Sequence, residues 1–149
     1  MTALFAFLHH LAAFTLVAAL AVEFVLLRGE LTAARARQIL SADRIYGVSA
    51  GLILVIGLGR VFHFEKGASY YFHSIPFIAK LSLFVMVGLL SIYPTVQFLS
   101  WRAEVRQGRA PAVAGEKVRR IRAIIHLQLA AIAVLILCAA LMARGIGHV

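Results

Sequence analysis

Four long apolar stretches set the fold of this chain. They cover residues 3–27, 45–62, 75–99 and 123–143, and each is about as long as the ~20 residues that a helix needs to cross ~30 Å of hydrocarbon. A backbone in hydrocarbon must satisfy its own hydrogen bonds, and helices do so within one segment. The sequence therefore predicts an all-α polytopic membrane protein, a four-transmembrane-helix bundle that forms a single domain over residues 1–149.

The composition agrees with this prediction. Hydrophobic residues make up 62% of the chain and charged residues 14%, with a mean hydropathy of +0.93, whereas a soluble domain carries roughly 25% charged residues. The first stretch lacks a basic segment before it and a small-residue cleavage site after it. We therefore expect it to remain as a helix and not to be removed as a signal peptide.

The basic residues predict the orientation of the chain. Most of them fall in the first and third connections: Arg28, Arg35, Arg37, Arg44, Arg102, Arg106, Arg109, Lys117, Arg119, Arg120 and Arg122. The second connection has Lys66 with Arg60 at its margin, and the C-terminal tail has Arg144. Because Lys and Arg in short loops resist translocation, we expect these two basic connections in the cytoplasm and both termini outside, in a bacterial inner membrane.

The formal net charge of +9 does not by itself indicate nucleic acid. Basic residues in cytoplasmic loops follow from membrane insertion, so we expect the lipid bilayer and anionic lipid head groups as partners, and no nucleic acid. Gly47 and Gly51 form a pair of small residues one turn apart. The pair predicts close packing within the bundle or, as the alternative, a homo-oligomer interface in a dimer. Cys138 is the only cysteine, which excludes an intramolecular disulfide.

Several features of the connections predict local structure. Thr32 is a good N-cap for a short helix to residue 40 that would lie at the membrane interface. Residues 107–111 break the helix before a basic, solvated helix start. Ser74 and Pro76 are typical of the start of the third span, after an aromatic belt at residues 70–72 and a turn at residues 64–67.

Six ionisable residues lie toward the outer side in this topology: His9, His10, Arg60, His63, His73 and Lys80. Such groups are costly in a membrane unless they are paired, hydrated or bound to something. Lys80 lies about one turn inside the third span and either snorkels outward or faces a polar interior. His73 and Lys80 are seven residues apart and would share a helix face if the third helix began early enough. We predict a ligand or cofactor site here, with a packing role as the alternative.

A second polar cluster is predicted near the inner side, formed by Glu23, Tyr93, Gln97, Arg122 and His126. Glu23 and His126 each lie about one turn from the inner end of a span, and a buried carboxylate needs a cation or a proton. We interpret the cluster as a polar clamp, with a proton relay as the alternative. His9 and Glu23 are fourteen residues apart on one stripe of the first span, so both clusters are expected to face one interior.

The sequence resembles a family of uncharacterised four-span predicted membrane proteins of bacteria over roughly its first hundred residues. The segments that carry the resemblance are residues 8–11, Glu23 with Arg28, and residues 43–47, 59–62, 65–67, 77–80 and 91–95. This family implies a membrane location and no defined activity.

More distantly, a His near the start of span one and a Lys early in span three are similar to the HemJ-type protoporphyrinogen oxidases and the CopD-type membrane domains. That resemblance implies haem or porphyrin handling by His10 (or His9) and Lys80. The chain lacks the tryptophan-rich first span of the HemJ-type enzymes, and its only tryptophan is Trp101.

The cofactor predicted from these residues is haem b. Imidazole ligates haem iron and Lys or Arg pairs with propionates, so His9 or His10 is the expected axial ligand, with His63 or His73 as a possible second one. His10 and His63 are the predicted metal ligands, and Arg60 and Lys80 the propionate partners. Binding is expected to be non-covalent because the CxxCH motif is missing. The leading hypothesis is a haem-binding or porphyrin-handling redox protein; the alternatives are a non-catalytic membrane subunit and a small proton-coupled transporter. The sequence leaves catalytic residues undefined.

Overall fold

The computed structural model describes residues 2–64, 69 and 72–146. The described residues form helices α1 (Thr2–Leu26), α2 (Ala33–Gly59), α3 (Ile75–Ser100), α4 (Arg102–Arg106) and α5 (Gly115–Ala143), and a π-helical turn (Arg60–Phe64) continues α2. Four helical segments are long and apolar enough to cross a membrane: Ala3–Leu26, Ala33–His63, Ile75–Arg106 and Gly115–Ala143. The predicted all-α four-helix membrane bundle is confirmed. The orientation of its ends and its definition as one domain stay predictions.

Helix α2 begins twelve residues earlier than the predicted second span. Thr32 caps it as predicted, because its Oγ1 accepts a hydrogen bond from the backbone N–H of Arg35 at 3.1 Å. The prediction of a separate interfacial helix is wrong, however, because α2 continues from Ala33 to Gly59 without a break. Residues 33–44 contain no Gly or Pro and are rich in Ala and Arg, which are strong helix formers.

The other helix boundaries follow the predicted signals more closely. Ser74 occupies the N-cap position of α3 and Pro76 lies in its first turn. Gly108, with φ of +72°, ends the short helix α4, so the predicted break at residues 107–111 is confirmed. The basic stretch 116–122 forms the first turns of α5, which is the predicted helix start. Tyr70, Tyr71, Lys66 and the turn at 65–67 lie outside the described residues.

The helices associate as two pairs. Helix α1 packs along α2 and α3 packs along α5, with less extensive contact between the pairs. We call the end of the bundle that holds residues 27–32 and 101–114 the basic end, and the opposite end, which holds His9, His10 and Arg60, the histidine end. The main core lies toward the basic end; its buried members are Leu16, Ala19, Leu20, Leu27, Ala36, Ile39, Tyr46, Val87, Phe98, Trp101, Val105, Ile121, Ile125, Ala131 and Ile132. Toward the histidine end the buried core shrinks to Val61 and Phe77.

Large apolar side chains cover the outside of the bundle. Val55 is 70% exposed and Leu89 is 64% exposed, and similar residues occur on α1 and α5. A soluble monomer rarely exposes contiguous apolar surface of this extent. These residues are therefore suited to contact with lipid chains.

The predicted close packing of Gly47 and Gly51 within the bundle is wrong. A Cβ atom added at either residue would meet no atom within 4 Å among the described residues. The close approach on α2 occurs instead at Gly57, where an added Cβ would lie 3.4 Å from Cε1 of His9. The dimer interpretation of the Gly47 and Gly51 pair stays a prediction.

Candidate functional site

A cavity of about 750 Å³ lies among the four long helices toward the histidine end. Small residues face it from every long helix: Ala13 on α1, Gly51 on α2, Gly88 on α3 and Ala139 on α5. Because these residues have little or no side chain, the helices enclose space where larger residues would fill it. The volume falls within the roughly 300–1,000 Å³ of known small-molecule and cofactor sites.

Four of the six residues predicted for the outer cluster line this cavity. They are His9 and His10 from α1, Arg60 from the π-helical turn and Lys80 from the second turn of α3. A side pocket of about 70 Å³ is lined again by His9, Arg60 and Lys80. The structure thus brings imidazole, guanidinium and ammonium groups from three separate segments to one end of an otherwise apolar cavity.

The two histidines of α1 have different surroundings. The Nδ1–H of His10 donates to the backbone carbonyl of Ala6, with an N to O distance of 2.6 Å. This bond assigns the proton to Nδ1 and leaves the lone pair on Nε2, which is the arrangement found in many metal-ligating histidines. His9 is partly buried and packs beside Gly57. The His9 and His10 rings meet edge to face, with centroids 6.1 Å apart.

His63 and His73 are not among the residues that line the cavity. Both are exposed, and Nδ1 of His73 donates to the backbone carbonyl of Ser69 at 2.7 Å. The predicted shared face of His73 and Lys80 is wrong because α3 begins only at Ile75. The predicted pairing of His10 with His63 as metal ligands gains no support from their positions. Across residues 2–64, 69 and 72–146, no group of three or more His, Cys, Asp or Glu side chains is arranged to hold a metal ion.

Glu23, in the last turn of α1, is buried as predicted but has different neighbours. It is 1% exposed, and no hydrogen bond from a described residue reaches its Oε1. His126 is exposed and its ring lies 6.0 Å from the ring of Phe24. Successive helical residues point about 100° apart, so α1 presents Phe24 to His126 and not Glu23. Arg122 is partly exposed and makes no ion pair with Glu23 among the described residues.

The contacts that the structure gives for Tyr93 and Gln97 do not involve Glu23. Tyr93 is partly buried and packs against the main core. The backbone carbonyl of Gln97 accepts a hydrogen bond from Ser100 Oγ. Within the described ranges, the Tyr93 and Gln97 side chains make no hydrogen bond to Glu23. The predicted inner cluster is therefore not assembled as one group.

Another set of polar residues occupies the middle of the bundle, and sequence reasoning did not assign it to a site. Thr95 Oγ1 donates to Asp43 Oδ1 at 2.9 Å. Gln128 Nε2 donates to the Tyr46 hydroxyl at 3.2 Å and to the Val87 carbonyl at 3.1 Å. The Tyr46 hydroxyl also contacts the hydroxyl of Ser91. Asp43 falls between the predicted interfacial helix, which ended at residue 40, and the predicted second span, which began at residue 45, so it was not considered as a residue of the bundle interior.

Glu23 belongs with this set. It lies within electrostatic range of both Asp43 and Tyr46. We call Glu23, Asp43, Tyr46, Ser91 and Thr95 the acid network. Tyr46 and Ser91 also line the cavity, so the acid network and the cavity share a wall. The expectation that both predicted clusters face one interior is not met by the predicted inner cluster, of which only Glu23 belongs to the acid network and none lines the cavity.

A family model described as "Predicted membrane protein (DUF2214)" matches residues 1–147. The chain belongs to this family. The description gives a membrane location for this DUF2214 protein. No curated protein and no solved structure matches the chain.

Proposed function

We propose that this DUF2214 protein binds haem b, or a related porphyrin, non-covalently in the cavity and acts as a redox or porphyrin-handling protein of the bacterial inner membrane. The observation that carries the proposal is the pairing of an apolar cavity of about 750 Å³ with His10, Arg60 and Lys80 on its lining. An amphipathic ligand with a flat apolar body and carboxylates at one edge suits such a cavity.

The cavity residues fit the parts of a haem. His10 is the proposed iron ligand because its Nε2 carries the lone pair while Nδ1 donates to the Ala6 carbonyl. Arg60 and Lys80 are the proposed partners of the propionates, since both are cations on the cavity lining. Phe14 and Phe84 supply aromatic surface to the macrocycle.

In this proposal the haem and the protein make different contributions. Bound haem supplies one-electron chemistry at its iron. The protein would supply the imidazole ligand, the compensating charges and the apolar cavity wall. Catalytic activity is not part of the proposal.

Absorption spectroscopy tests it directly. The protein is purified in mild detergent from cells supplied with a haem precursor. Protein that is purified without bound haem is titrated with haemin. We expect a Soret band that shifts on reduction, that is lost in His10→Ala and that remains in the matched control His73→Ala, whose residue lies off the cavity.

Two outcomes would contradict the proposal. Loss of the band on changing His63 or His73 alone, with His10→Ala unaffected, would refute His10 as ligand. A folded protein that stays colourless and takes up no haemin would refute haem binding and favour a membrane subunit or a small transporter.

A further inference from the structure

Glu23 carries a buried carboxyl group that makes no ion pair with any residue in the described part of the chain. It is 1% exposed, and its Oε1 receives no hydrogen bond from a described residue. An ionised carboxylate that is buried without a cation or hydrogen-bond donors is unfavourable. Glu23 is far more stable there if it holds a proton or a bound cation.

Asp43 brings a second carboxyl group into the same region from α2. It is partly buried, lies within electrostatic range of Glu23 and accepts a hydrogen bond from Thr95 Oγ1 at 2.9 Å. Two like charges in apolar surroundings repel each other strongly, so such a pair retains one proton. The hydroxyl donor of Thr95 makes Asp43 the better position for the negative charge.

The basic groups nearby are directed elsewhere. The guanidinium of Arg28 lies 5.7 Å above the ring of Phe24, and the His126 ring lies against the same phenyl group. Arg44 follows Asp43 in sequence but is exposed. In the described part of the chain none of these makes an ion pair with Glu23. Tyr46 is a further titratable group within electrostatic range of both carboxyl groups.

We propose that Glu23 and Asp43 form a proton-binding site beside the cavity, in which Glu23 carries the proton and Asp43 the negative charge. The Tyr46 and Ser91 hydroxyls lie on the wall that this site shares with the cavity. The Tyr46 oxygen accepts from Gln128, so its own proton is available to Ser91, whose Oγ donates to the Gly88 carbonyl at 2.6 Å. The proposal does not rest on haem, because the buried pair needs its proton whatever fills the cavity.

Infrared spectroscopy of the protein in lipid nanodiscs tests the site. A protonated carboxylic acid has a C=O stretching band that is separate from those of ionised carboxylates and amides. At neutral pH we expect this band in the wild type and in Asp43→Asn, and its loss in Glu23→Gln. Glu30→Gln is the matched control, since Glu30 is an exposed acid in the first connection, and it should retain the band. Circular dichroism checks that each variant is folded.

Should Glu23→Gln fail to fold, titration of the wild type replaces it: the band should disappear at alkaline pH as an ionised-carboxylate band appears. A wild type without the band at neutral pH overturns the proposal, and so does a band that persists in Glu23→Gln. Loss of the band in Asp43→Asn but not in Glu23→Gln overturns the assignment of the proton. A band that appears only when sodium is replaced by choline shows a cation site and overturns the proton site.

Discussion

Gln128 joins three helices through a single side-chain amide. From α5 its Nε2 donates to Tyr46 on α2 and to the Val87 carbonyl on α3, and the residue is 1% exposed. An amide buried in apolar surroundings is costly unless it is hydrogen-bonded. The bond to Tyr46 therefore links the two helix pairs, and the bond to Val87 joins α5 to α3 within one pair; both acceptor residues line the cavity.

We predict that Gln128→Met lowers the free energy of unfolding by about 1 kcal/mol, since hydrogen bonds within membranes average roughly 0.6 kcal/mol and two are lost. Unfolding by sodium dodecyl sulfate in mixed micelles measures the change. Gln97→Met is the control, because the Gln97 side chain makes no hydrogen bond to the described residues. The double variant with Tyr46→Phe should be less than additive; fully additive effects would show that the two side chains are not coupled.

For individual residues, the sequence predicted how deep each polar side chain lies in the membrane but not the direction in which it points. Six outer residues were grouped by depth, and four of them line one cavity: His9, His10, Arg60 and Lys80. Glu23 and His126 were grouped by the same reasoning, yet Phe24 takes the place of Glu23 beside His126. Depth follows from position along a span, whereas the face that meets a neighbour depends on how the helices pack.

The π-helical turn Arg60–Phe64 affects which side chains at the end of α2 face the cavity. It directs Arg60 and Val61 to the cavity while Phe62 and His63 remain exposed. π-Helical turns often occur at functional sites because they change which side chains share a face. No sequence signal identified this turn, and it explains why His63 is separated from the other predicted ligands.

A second prediction concerns Gly57, which lies on α2 next to His9. Gly57→Leu should reduce haemin uptake about tenfold, equivalent to ~1.4 kcal/mol, because a Cβ there already lies 3.4 Å from His9 Cε1 and the rest of the side chain must enter the cavity. Haemin titration measures the loss. Gly47→Leu is the control, since a Cβ at Gly47 meets nothing within 4 Å. Equal uptake by both variants would contradict the placement of the ligand beside Gly57.

For the whole molecule, hydropathy located all four spans because the bilayer allows few other structures. It did not locate the polar starts of α2 at Ala33 and α5 at Gly115, since helical segments in the head groups or water have no hydropathy signal. The 27 residues of α2 extend about 40 Å, which is longer than the hydrocarbon core. The cavity was not predictable either, because it depends on small residues from four helices meeting at one level.

The orientation of the whole chain in the membrane can be tested by cysteine labelling. In a Cys138→Ser background, single cysteines replace Ser69, Glu30 or Arg109, and intact cells of a bacterial host are treated with a membrane-impermeant maleimide. We expect labelling of Ser69→Cys in intact cells, and of the other two only after the membrane is opened, because the basic end should face the cytoplasm. The reverse pattern would place both termini inside.

The uneven distribution of the core has a consequence for the amount of protein in a cell. The basic end is well packed, whereas the histidine end encloses a cavity, so whatever occupies that cavity contributes to folding stability. A ligand present at 100 times its Kd adds about 2.7 kcal/mol. Cells short of the ligand would then degrade more of the protein and cells rich in it would accumulate more, so that membrane content follows ligand supply without any change in transcription.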